Sequence, residues 1–140
     1  MANPGPASAV TNHPNNVQSN QAIRLLASFQ GVNLNATGDT FLPLLNTSLC
    51  SVSNVILTNA STSLTTAAAG VFTAPAAGGT AIVANAALSG ATGSTIVSQR
   101  TVASTATVTG GPGNGLYLNV ATAQGAAETG DIYVYGYDFS

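Results

Sequence analysis

Residues 131–139 read DIYVYGYDF, and the spacing of their aromatics decides the fold class. Tyr133, Tyr135 and Tyr137 stand at every second position, and Phe139 continues the row. In an extended chain alternate side chains point to opposite faces. The stretch is therefore a predicted strand with an aromatic stripe on one side and Ile132 and Val134 on the other. The sequence holds 4 Tyr and 4 Phe, so this row takes half of its aromatics. The aromatic side is expected to be buried. Two coverings stand open, the strand's own core and a sister subunit.

Working outward, GLYLNVATA (115–123) alternates in the same way, with Leu116, Leu118 and Val120 on one face. Further strands are predicted at AIRLLASF (22–29), TFLPLL (40–45), SVSNVILTN (51–59), GVFTA (70–74), GTAIVAN (79–85), STIVSQRTV (94–102) and STATVTG (104–110). Gly, Asn and Ser turns separate them. In 51–59 the apolar residues Val52, Val55 and Leu57 alternate imperfectly. Alanine's helix propensity allows one short helical turn, in TSLTTAAAG (62–70) or TAQGAAETG (122–130). Many short strands without a helical period indicate an all-β fold, a single antiparallel sandwich or barrel. It is expected over residues 21–140. Residues 1–20 differ: Pro4, Pro6 and Pro14 fix φ and extend their predecessors, so this segment reads as an extended N-terminal arm.

Composition narrows the function. Only 4% of residues are charged, against about 25% in an ordinary domain. Net charge is −2 and hydrophobic content 45%, so the chain should fold, presenting hydroxyls and amides to its surroundings. Such a surface lacks the repulsion that keeps free monomers apart, which favours life in an assembly. Two cations, Arg24 and Arg100, cannot neutralise the several phosphates that nucleic-acid binding requires. No apolar run approaches the length of a membrane span, and the start MANPGPASAVTNHPNN lacks the form of a secretory signal. Synthesis in a cytoplasm is the default expectation. The single Cys50, in the apolar run FLPLLNTSLCSV, excludes an internal disulfide and reads as a buried, inert thiol.

Catalytic groups are scarce. The one histidine, His13, lies between Asn12 and Pro14 in the arm, not beside an oriented carboxylate. No enzyme activity and no cofactor are expected. Glu128 and Asp131, close together in ETGD, would offer calcium two ligands where it wants six to eight oxygens. GGPGNG (110–115) lacks the lysine of a phosphate-binding loop and reads as a turn. Asn35, Asn46 and Asn59 head Asn-x-Ser/Thr triplets that arise readily in such a composition. Thr105, Thr107 and Thr109 form one threonine array; an ice-binding plane needs repeats to extend it. The tyrosine stripe offers a face to sugars, so a receptor- or glycan-binding module, such as a phage adhesin, is the alternative reading.

The half of the chain from NVILTNASTSLTTAAAGVFTAPAAGGTAIVAN to LYLNVATAQGAAETGDIYVYGYDFS, about residues 54–139, resembles small structural proteins of tailed bacteriophages. The ending TAQGAAETGDIYVYGYD is similar to capsid decoration, or cement, proteins. The resemblance implies a jelly-roll-like β-sandwich that forms trimers on the outer capsid surface of the virion and contacts the major capsid protein. In such proteins an N-terminal arm commonly reaches across neighbouring capsid subunits. Pro4, Pro6, Asn12, His13, Pro14 and Asn15 are then the expected capsid-contact residues, and Tyr133, Tyr135, Tyr137 and Phe139 the expected trimer interface.

Overall fold

A computed structural model describes residues 23–45, 47–92, 97–103, 107–109 and 113–139. Among them are nine strands and no helix: β1 (Arg24–Asn33), β2 (Gly38–Pro43), β3 (Leu49–Thr58), β4 (Ala68–Ala74), β5 (Gly78–Ala87), β6 (Val97–Arg100), β7 (Thr107–Thr109), β8 (Gly115–Thr122) and β9 (Thr129–Asp138). Each overlaps one predicted segment. The strands make two antiparallel sheets packed as a sandwich. One runs β1-β9-β3-β6, with β7 pairing β3 beside β6, and the other runs β2-β8-β4-β5. The chain thus crosses from one sheet to the other between β1 and β2, back at β3, and again at β4. The first strand meets the last, and the second meets the eighth.

Alternation drives this arrangement. Leu116, Leu118 and Val120 of β8 face inward, as do Val71 of β4 and Ile82 of β5. Across the gap stand Leu26, Val52, Val55, Leu57, Ile132 and Val134, all buried. Burying each such side chain stabilises the fold by about 1.5–3 kcal/mol. The tyrosine side of β9 is not the core side: Ile132 and Val134 are 2% and 0% exposed, while Tyr133, Tyr135 and Tyr137 are half-buried on the outer face. The core alternative is overturned: the interior side of β9 is that of Ile132 and Val134, and the tyrosine side is the outer one. Tyrosine tolerates a partly wet face because its ring is apolar and its tip polar.

Two irregularities explain where the sequence pattern broke. Between Val52 and Asn54 the β3–β9 register slips, and the extra Ser53 shifts the apolar period from Val52 to Val55. A second slip, between Leu25 and Ala27 in β1, lets Leu26 and Ala27 both turn inward. These are β-bulges, which add one residue and re-aim those that follow. Neither predicted helical turn forms. The N–H groups of Thr65, Thr66 and Ala67 all donate to Gln124 Oε1, at 3.2, 3.1 and 3.0 Å, which removes the donors of a helical turn there. In the other segment the backbone of Gln124 is tied to Leu34 O at 2.9 Å, Gly125 has φ +85, and β9 already begins at Thr129.

Both bulges lie beside Gly136, which faces the core of β9. A Cβ there would stand 2.9 Å from Leu26 Cδ1 and 2.9 Å from Val52 Cα, and closer still to Ser51 O. Two of these obstacles are backbone and cannot rotate away. Gly136→Ala is expected to destabilise the domain by about 1–3 kcal/mol through overpacking. The measurement is a urea unfolding curve, in which the midpoint falls while the slope stays constant.

Candidate functional site

The first candidate surface follows from β9 being an inner strand. Because β1 and β3 flank it, its outward row runs down the middle of the five-stranded sheet instead of along an edge. Register sets the neighbours. Tyr133 lies between Ser28 and Ile56, Tyr135 between Leu25 and Asn54, and Tyr137 opposite Ser51. Gln99 extends the level of Ile56 onto β6, and Val97, 52% exposed, extends that of Thr58. Gln30 Nε2 donates to the Tyr133 hydroxyl at 3.1 Å, fixing one ring tip. Asp131, the charged member of this set, has both oxygens occupied: Gly31 N donates to one at 2.8 Å and Asn59 Nδ2 to the other at 2.7 Å. The face is aromatic, aliphatic and amide-rich, with its one charge internally held.

A second feature lies at the end of the sandwich where the described chain begins. Arg24 Nη1 pairs with Asp138 at 3.1 Å, and its Nη2 donates to Leu45 O at 2.6 Å. Around this pair Ile23, Leu45, Leu49 and Phe139 are 51%, 40%, 37% and 43% exposed. Phe139 lies just past β9 and donates its N–H to Leu49 O at 2.9 Å. The sequence signalled Phe139 through its place in the row. It did not signal Ile23, Leu45 or Leu49, which come together only through pairing of distant strands.

The expected arm contacts Pro4, Pro6, Asn12, His13, Pro14 and Asn15 lie outside the described residues, as do Asn46 and Thr105. Asn114 closes the turn into β8, donating from Nδ2 to Thr47 O at 2.9 Å with φ 58. Cys50 is fully buried, and burial, reinforced by Asp138, pushes its thiol up to about 11. It is inert at neutral pH.

Glu128 and Asp131 are each engaged by different protein donors, Asp131 by Gly31 and Asn59 and Glu128 by Ser61 and Thr62. Glu128, 3% exposed, accepts from Ser61 Oγ at 2.6 Å, from Thr62 N at 2.7 Å and from Thr62 Oγ1. Its own strand closes the loop, with Ser61 N donating to Thr129 O at 3.0 Å. This carboxylate is a staple that holds the 59–64 connection against the start of β9. The chain matches no protein-family model, no curated protein and no solved structure, so the geometry carries the functional reading.

Burial alone would push the Glu128 carboxyl up, but the hydrogen bonds from Ser61 and Thr62 outweigh it and hold the group below its ordinary 4.5. A carboxyl lowered in the folded state stabilises the fold fully above that ordinary value and loses its contribution as acid protonates it. Stability is therefore expected to fall as pH drops below 4.5. Glu128→Ala should cost about 1–3 kcal/mol at neutral pH, because buried donors lose their acceptor. It should also flatten the acid limb in a series of denaturant titrations from neutral pH downward.

Proposed function

We propose that this protein is a structural component of a virion, a capsid decoration or cement protein that self-associates as a trimer and seats on the outer capsid surface against the major capsid protein. The observation that carries the reading is the half-buried row Tyr133–Tyr135–Tyr137 along the middle of a broad sheet face that carries one charged side chain, Asp131, hydrogen-bonded to Gly31 and Asn59. Tyrosine is favoured at protein interfaces, since it offers large contact area, few rotatable bonds and a polar tip. A face short of charge also lacks the like-charge repulsion that would keep copies apart.

The winding supports the same reading. The strand orders β1-β9-β3-β6 and β2-β8-β4-β5 support reading the sandwich as jelly-roll-like, an architecture used by capsid proteins and also by lectins. Fold does not decide between those uses. The nature of the face favours assembly over sugar binding, because a glycan site is concave with convergent polar anchors. The tyrosines lie instead on an outward sheet face, and neither the apolar cavity between the sheets nor the groove beside β5 is lined by one.

Mechanically, a trimer resting where capsomers meet adds contacts that must break together, so modest interfaces act with avidity. A proline-stiffened arm loses less entropy on ordering than a flexible one, which suits the expected capsid-contact role of residues 1–20.

The experiment is sedimentation velocity paired with capsid occupancy. Wild-type chain is expected to sediment as a trimer and to decorate expanded capsids that lack it. Tyr135→Ala should weaken self-association by about thirtyfold, the effect of losing an interface hot spot, while the monomer keeps its β-sheet spectrum. A wild-type chain that stays monomeric and leaves such capsids bare overturns the reading.

A further inference from the structure

The protein's two cations are placed very differently. Arg24 has Asp138. Arg100, the last residue of β6, pairs in register with the core residue Val55 and so turns its side chain toward the gap between the sheets. There Nη2 donates to Ala87 O of β5 at 2.9 Å, clipping the edge of one sheet to the edge of the other. Nε is buried without an acceptor, as Arg24 Nε is; what separates the two is that Arg24 has a carboxylate on its Nη1. A guanidinium carries five N–H donors, and among the described residues Ala87 O is the acceptor found for it.

No side-chain carboxylate of this chain is left for it. The sequence holds four. Asp39 accepts from Ala76 N at 2.7 Å and Asn119 Nδ2 at 2.8 Å, Asp131 is held by Gly31 and Asn59, Glu128 by Ser61 and Thr62, and Asp138 by Arg24. Beside Arg100 opens a groove of about 230 Å³, walled by Val83, Ala84 and Ala86 of β5 and by Gln99 and Thr101. Burial pushes the Arg100 guanidinium down from its ordinary value, in the direction expected of a cation drawn from water without a counter-charge.

We propose that the Arg100 groove between β5 and β6 is a docking site for an aspartate or glutamate side chain of a different protein. Guanidinium recognises carboxylate through a planar fork. A second copy fits poorly as the donor, because its four side-chain carboxylates are engaged in the same internal bonds. A protein with an exposed acidic residue supplies the missing charge. This inference does not depend on the tyrosine row and survives if the virion reading fails.

The test titrates the ¹⁵N-labelled full chain with three probes: N-acetyl-Ala-Glu-Ala-amide, its Gln counterpart and inorganic phosphate. The Glu peptide is expected to shift the Arg100 Nε–H and Thr101 amide signals saturably, with a dissociation constant on the order of 1–10 mM. The Gln peptide and phosphate should bind at least about tenfold more weakly. Arg100→Met, which keeps the stem, should abolish the response. Arg100→Lys, which keeps the charge and the fold but not the fork, should weaken it about threefold or more. The proposal is overturned if nothing saturates, if the Gln peptide or phosphate binds as well, or if either variant responds like wild type. Loss of self-association in Arg100→Met would also overturn it, by making the partner a second copy.

Discussion

The structure depends on β9 being held on both sides. β1 and β3 pair with it along almost its full length, so its two faces are committed to different environments and cannot exchange. Ile132, Val134 and Gly136 enter the core, and the tyrosines are forced outward. A slip of one residue would drive three phenolic rings into a gap filled by Leu26, Val55 and Leu57 and would expose Ile132 and Val134. Gly136 reinforces the register, because only a residue without a side chain fits between Ser51 O, Val52 and Leu26. Once β9 is locked, the outer row, its polar neighbours and the bulges of β1 and β3 follow.

Electrostatics in this protein is local and almost entirely internal. Each carboxylate holds a connection: Asp39 the β4–β5 turn through Ala76, Glu128 the approach to β9, Asp131 the backbone of β1 at Gly31, and Asp138 the start of β1. All four are tied by hydrogen bonds or an ion pair to their own chain. A surface of this kind relies on shape, apolar contact and hydrogen bonding, which salt screens far less than it screens exposed ion pairs. Against that background Arg100 stands out, a cation at the junction of two sheet edges that meets no counter-charge among the described residues.

The same economy explains the loops. Segments that alanine content suggested as helical are claimed by side chains from far away in sequence. Gln124 gathers three successive N–H groups from residues 65–67, and Glu128 gathers Ser61 and Thr62. A helical turn of a few residues is marginal in water, so a few such bonds suffice to displace it.

The amino-acid sequence alone determined that this is an all-β protein with strands in these nine places, because period-two alternation and Gly, Asn and Ser turns act over a few residues. It also determined that Leu116, Leu118 and Val120 face one way, that Cys50 is buried, and that the tyrosines share a side. It left open which side of β9 is the interior, because alternation distinguishes two faces without ranking them and tyrosine is at home on either. Packing against Leu26, Val55 and Leu57 made that choice. The bulges at Leu26 and Ser53, the failed helical turns, the apolar rim around Arg24 and Asp138, and the placement of Arg100 between two sheet edges were likewise decided by tertiary structure. Each arises from residues dozens of positions apart, where no local pattern in the chain can register the contact.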